Sequence, residues 1–191
     1  MADDTINVPP FPPLRWDEFF WVGEITLPSW AGFQTRRGPY AGISSVDPSD
    51  GTVRLSVAVE DRQPHTQPTQ AQARAYQHLL DNEAVVCAEV LLALFRDYPE
   101  QQANYGDDPL PDIDEPAGLK ALLGLSQVHV LFESRDDVAY VGFEFGCVWD
   151  EEHGAGVMTH LGRIVEIGPA SASFLWTIAQ RDAADNGRSS A

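Results

Sequence analysis

The apolar residues of this chain change their spacing twice along its length, and that change limits the folds open to it. Across residues 53–59, Val53, Leu55, Val57 and Val59 fall on one side and Arg54, Ser56 and Ala58 on the other, the pattern of a half-buried strand. After Pro68 the period lengthens. Ala73, Tyr76, Leu80, Cys87, Val90, Leu91 and Leu94 form a helical stripe that ends before Pro99. Beyond residue 124 the period of two returns. Strands, then helices, then strands predict an α+β fold: an antiparallel sheet, free to curve, with a C-terminal meander and two or three helices packed against it. Strand order stays open, since the N-terminal strands could pair with either edge of the meander.

A chain of 191 residues is long enough for one core without staples. Residues 1–15 carry Pro9, Pro10, Pro12 and Pro13 and read as a flexible, extended lead-in rather than a folded element. A single domain is expected over 16–180, with ordered structure beginning near Trp16 and a polar tail over 181–191. Residues 19–27 have strand composition interrupted by Gly23, and Trp16, Trp21 and Trp30 read as packing aromatics. Thr69 and Gln72 form a capping box, and Asn82 either bends one helix or starts a second. Residues 99–114 read as a loop, including Tyr105 and Gly106, whose acidic stretch is a solvated face without calcium-loop spacing. A short helix is expected from Pro116 to Leu123, with Gly124 as its exit.

In the meander, Val128, Val130 and Phe132 alternate with His129 and Leu131. A turn at Asp136 and Asp137 leads to Val141, Phe143, Phe145 and Cys147 on one face. Tyr140, Gly142, Glu144 and Gly146 occupy the other, which the glycines keep shallow for close packing. His129 is expected to share that face with Tyr140 and Glu144. Leu161 and Gly162 make a tight reversal, and Ser171 or Ser173 caps a last helix through Phe174, Trp176 and Ile178.

Against 29 acidic residues stand 12 Lys plus Arg, a formal charge of −17, well beyond the roughly 2–8 usual for a small soluble design. This balance excludes nucleic-acid binding, which needs a basic face, and disfavours anionic membranes. It suits a basic protein partner or a solvated coat. Cys87 and Cys147 make neither a disulfide framework nor a zinc tetrad, and fit buried thiols in a reducing compartment. With no basic n-region before an apolar stretch and no run of eighteen apolar residues, a cytoplasmic location is expected. Lys120 is the only lysine, and there is no Gly-x-Gly-x-x-Gly, phosphate-cradling loop or Gly-x-Ser-x-Gly elbow. No cofactor is called for.

The densest chemistry lies in Trp149-Asp150-Glu151-Glu152-His153-Gly154-Ala155-Gly156-Val157, a turn between two strands. One reading makes it a structural corner. Trp149 is then buried, Asp150 and His153 bond the turn backbone, and Gly154 or Gly156 adopts geometry that disfavours a side chain. The other gathers Asp150, Glu152, His153 and His160 around a metal, with Glu152, His153 and His160 as catalytic candidates for activating a bound water. His153 and His160 are seven apart, so on a regular strand they point to opposite faces, and a bulge is needed to unite them. His65 and His78 have no ligand-like company. The expectation is divergence.

The run Tyr140-Val141-Gly142-Phe143-Glu144-Phe145, then Cys147 and residues 149–157, with Thr159, His160 and 162–168 after them, resembles the C-terminal signature of an uncharacterised bacterial domain family. Leu79-Leu80-Asp81-Asn82-Glu83 and Ala88-Glu89-Val90-Leu91 are similar to the family's middle part, so the resemblance covers about residues 18–180. It implies no catalytic residue. It does imply an association with immunity proteins, small antidotes that block toxins. The expected function is therefore an acidic, non-catalytic protein-binding domain, immunity-like, with a metal-dependent hydrolase at residues 150–160 as the alternative.

Overall fold

The computed structural model describes residues 5–37, 41–45, 47–60, 66–104 and 110–185; His65 and residues 105–109 of the expected loop lie outside them. Ten strands are described: β1 (Thr5–Ile6), β2 (Leu14–Asp17), β3 (Phe20–Thr26), β4 (Thr35–Arg36), β5 (Ile43–Ser45), β6 (Thr52–Ala58), β7 (Leu123–Arg135), β8 (Val138–Cys147), β9 (Ala155–His160) and β10 (Arg163–Gly168). Eight of them form one sheet in the order β1-β2-β3-β6-β7-β8-β9-β10, while β4 and β5 pair separately. All neighbours in the large sheet are antiparallel except β6 and β7. The N-terminal strands thus join the meander at its β7 edge.

The parallel pair follows from the connection. Two parallel neighbours need a long crossover, and the chain between β6 and β7 carries α1 (Gln70–Asp81) and α2 (Glu83–Asn104). Thr69 opens α1 with the expected capping box, its side chain accepting from Gln72 N–H while the Gln72 side chain reaches back. The stripe is broken at Asn82 into two helices, and Asn82 turns its amide onto His78 O. Pro99 lies inside α2, which runs past the expected stop to Asn104. Both helices cover one sheet face. Tyr76, Leu79, Val86, Val90, Leu94 and Tyr98 meet Trp21, Leu55, Val57, Val128, Phe143 and Val157 in the main core.

From Thr5 on, the proline-rich lead-in is not a flexible segment but part of the sheet. β1 pairs with β2, and Phe11 and Leu14 are buried in the main core, so the ordered fold begins before Trp16. Gly23 does not interrupt β3. A Cβ there would lie 3.0 Å from Leu14 Cδ2 and 3.1 Å from Pro13 O, so glycine makes room for the lead-in. Gly124 is likewise inside β7 rather than at a helix exit, crossed by Gln34 O at 2.0 Å from where its Cβ would stand. The short helix before it is a 3₁₀ turn, Pro116–Ala121. The expected turns are present. Asp136 and Asp137 both have positive φ, as do Leu161 and Gly162, the two-residue geometry that matches strand twist. Among the described residues no helix is long and apolar enough to cross a membrane.

Candidate functional site

The sheet face opposite α1 and α2 is ordered in rows, because side chains of paired residues stand side by side. One row runs Val22, Ser56, His129, Gly142 and Met158, and the next runs Glu24, Arg54, Gln127, Glu144 and Gly156. His129, Tyr140 and Glu144 share this face. The β8–β9 half is covered, and glycine is what allows it. A Cβ on Gly142 would sit 1.6 Å from Ser173 O, and one on Gly156 2.6 Å from Pro169 O. The 3₁₀ turn Ala170–Ser173 fills that space, with α3 (Trp176–Asp185) beyond it. Leu131, Tyr140, Met158, Ala172, Ile178 and Ala179 form a second, smaller core there.

The turn at 149–154 holds this cover in place. Trp149 is buried against Tyr98, with ring centroids 5.5 Å apart. Asp150 Oδ1 accepts from His153 N–H at 2.8 Å and lies 3.0 Å from His153 Nδ1, while Gly154 N–H donates to Asp150 O. Gly154 takes φ +61°, whereas Gly156 has ordinary strand geometry and is set by crowding instead. His153 O then accepts from Ala170 N–H at 2.9 Å, tying the corner to the docked 3₁₀ turn.

Of the four residues expected around a metal, only Asp150 and His153 meet. Glu152 is exposed at the turn. His160 stands at the far end of β9, about 17 Å away by strand rise, with Nε2 3.1 Å from Arg135 O and 3.2 Å from Val138 O and its ring 4.8 Å from Tyr140. Among the described residues no group of three or more His, Cys, Asp or Glu is placed to hold a metal ion. Cys87 and Cys147 are free and buried, and burial pushes both thiols up to about 12, where they stay protonated and unreactive.

The β3–β6–β7 half of the face is open, and the chemistry gathers there. Ser56 Oγ lies 2.7 Å from His129 Nδ1, and His129 Nε2 lies 2.8 Å from Glu144 Oε2. A carboxylate only accepts, so Nε2 carries the hydrogen toward Glu144, and the Ser56 hydroxyl pairs with the other ring nitrogen. The order resembles a nucleophilic relay, but its setting opposes one. Ser56 is 2% exposed in the middle of β6, between β3 and β7. The neighbouring backbone N–H groups belong to the ladders, which leaves no pair to stabilise an oxyanion.

This polar strut divides two depressions. On one side an open groove of about 830 Å³ is lined by Arg15, Glu24, Arg37, Arg54, Gln127 and Glu144; Arg54 pairs with Asp17, and Arg37 lies near Asp50. On the other, a cavity of about 270 Å³ is walled by Phe20, His129, Glu133, Phe174, Leu175 and Trp176. Phe174, delivered by the docked turn, packs on His129 at 5.2 Å. Phe20, Phe174, Leu175 and Trp176 are all exposed, and Phe19 continues the patch at 6.4 Å from Phe20.

Inside this rim sits Glu133, 9% exposed, with neither carboxyl oxygen hydrogen-bonded. Burial pushes its carboxyl above the usual range and Glu60 adds to the shift, while the residue's own backbone N–H pulls the other way. Sequence reasoning passed over Glu133 and over the 174–176 run, which it assigned to a helix face. Three consecutive large apolar residues cannot share one face of a helix, and a carboxylate directly after Leu131 and Phe132 breaks an apolar strand. Both signals are visible in the residues.

A family model, described as a domain of unknown function (DUF6985), matches residues 21–175. The chain belongs to this family. The matched span runs from within β3 to Leu175, so it contains the strut, Glu133, the corner at 149–157, Phe174 and Leu175, while Phe19, Phe20 and Trp176 lie just outside it. Neither the curated proteins nor the solved structures compared with the chain gave a match.

Proposed function

We propose that this DUF6985 domain is a non-catalytic binding module that docks a basic protein partner on the open half of its sheet. The carrying observation is the cluster of exposed Phe20, Phe174, Leu175 and Trp176 around one cavity, with exposed Phe19 beside Phe20. Large apolar side chains grouped in this way mark interaction surfaces, with aromatics as the usual anchors. Their host carries a formal charge of −17, which steers a basic partner toward the surface and repels acidic ones. An immunity-like antidote of the bacterial cytoplasm, masking the basic face of a toxin, is the biological setting this reading favours. The metal-dependent hydrolase draws no support from the separation of His160 from Asp150, Glu152 and His153.

The test compares wild-type domain with a Phe174→Ser/Trp176→Ser variant in capture from the native organism, at rising salt, with identification of the retained protein. A basic partner held by wild type at low salt and lost by the folded variant is expected. Recovery of no basic protein, or equal retention by the variant, overturns the reading.

A further inference from the structure

We infer that the cavity beneath Trp176 is a socket for one arginine side chain of the partner, with Glu133 as the residue that receives its guanidinium. The inference rests on the binding reading above and names the contact that fixes its register.

Three observations carry it. Glu133 has two buried carboxyl oxygens with no hydrogen-bond partner, and a buried polar group left unpaired in a native fold calls for an explanation. The main core does not hold it there. It lies on β7 two residues beyond Leu131 and four beyond His129, so strand alternation puts it on their face, at the cavity wall.

Second, the cavity holds about 270 Å³, below the roughly 300–1,000 Å³ of pockets for drug-sized ligands. One long side chain suits it better than a cofactor does. Third, the walls match an arginine along its length. Phe20, Leu175 and Trp176 offer apolar surface to the methylene stem, aromatic faces suit a planar cation, and two free oxygens suit the paired N–H groups of a guanidinium. The charged neighbours agree. Glu60 adds negative potential at Glu133, and His129, which shares the cavity, has both ring nitrogens engaged by Ser56 and Glu144.

Burial keeps the Glu133 carboxyl protonated further up the pH scale than an exposed one. An arriving guanidinium, already charged, stabilises the carboxylate, and the displaced proton passes to solvent. Affinity therefore rises with pH until the empty-state carboxyl ionises unaided, then levels off.

The probe is acetyl-Ala-Arg-Ala-amide, titrated into the full chain by NMR and calorimetry. Its citrulline counterpart, with the same shape but no charge, and its lysine counterpart serve as comparisons. Saturable shifts at Trp176 and Phe20 are expected with the arginine peptide, weaker ones with lysine and none with citrulline. Calorimetry in buffers of different ionisation enthalpy should show proton release. Glu133→Gln keeps size and removes the charge, so it should weaken the arginine peptide about tenfold or more while the protein stays folded; Glu133→Asp provides a second, charge-retaining variant. Equal binding of arginine and citrulline peptides, or no effect of Glu133→Gln, overturns the socket. If a captured partner depends on Phe174 and Trp176 but not on Glu133, the docking surface stands and the socket alone falls.

Discussion

Gly142 has the ordinary backbone of a central strand, so its side-chain vacancy is dictated by a neighbour. Ser173 O occupies the space, 1.6 Å from where a Cβ would lie. That contact is backbone on both sides and cannot be relieved by rotating a side chain. Gly142→Ala must therefore lift the 3₁₀ turn from the sheet, at a cost of about 1–3 kcal/mol. The displaced turn carries Phe174, Leu175 and Trp176, so partner binding should weaken with it. Gly168→Ala is the control, since its Cβ would meet only Ala172 Cβ at an ordinary 3.4 Å. Urea denaturation of both variants checks the claim, and equal losses would contradict the role assigned to Ser173.

Among the elements, those with a local cause were legible in the residues. Thr69 and Gln72 announce the start of α1, and the paired acidic residues Asp136 and Asp137 announce a hairpin; both are in place. The shallow face around Gly142 and Gly146 was also readable, because two glycines on one strand face have few other uses. What was not legible depends on distant chain. Gly23 and Gly124 read as interruptions, yet each lies inside a strand and is crossed by a segment remote in sequence, the lead-in for one and Gln34 for the other. Pro99 read as a stop, but α2 passes through it. The density of chemistry drew attention to residues 149–157, while the cavity that this turn helps to build lies across the sheet, assembled from β3, β6, β7 and the run at 174–176. No spacing rule joins those segments. The capping box gives an element-scale prediction: Thr69→Ala removes the bond to Gln72 N–H and should cost about 1 kcal/mol in thermal or chemical unfolding. The Gln72 side chain also donates to Ala58 O at 2.6 Å, so Gln72→Ala should cost more than Thr69→Ala. The opposite ranking would show that the bridge from α1 to β6 contributes little.

For the whole molecule, charge acts on folding and on binding in opposite directions. The formal charge is −17, and like charges on a compact body repel, which weakens the folded state. Two ion pairs of a kind that offsets this are exposed: side-chain accessibilities are 50% and 76% for Arg37 with Asp50, and 48% and 87% for Arg74 with Asp137. Pairs of that kind contribute little. Net repulsion should therefore govern the salt response. Raising sodium chloride from low ionic strength to about 0.5 M shortens the screening length well below the protein's radius and should raise the midpoint of thermal unfolding. A gain of about 1 kcal/mol would appear as a shift of roughly 2–4 °C for a chain of this size. Chloride is the appropriate anion, because sulfate strengthens apolar burial by itself and would confuse the cause. Over the same salt range the basic partner should bind more weakly, since the attraction that steers it is screened by the same ions. Calorimetric unfolding and a binding titration in matched buffers read the two trends together. A midpoint that falls with salt would mean that the ion pairs outweigh the repulsion. Binding that is indifferent to salt would leave the aromatic rim as the whole attraction and remove the case for a basic partner.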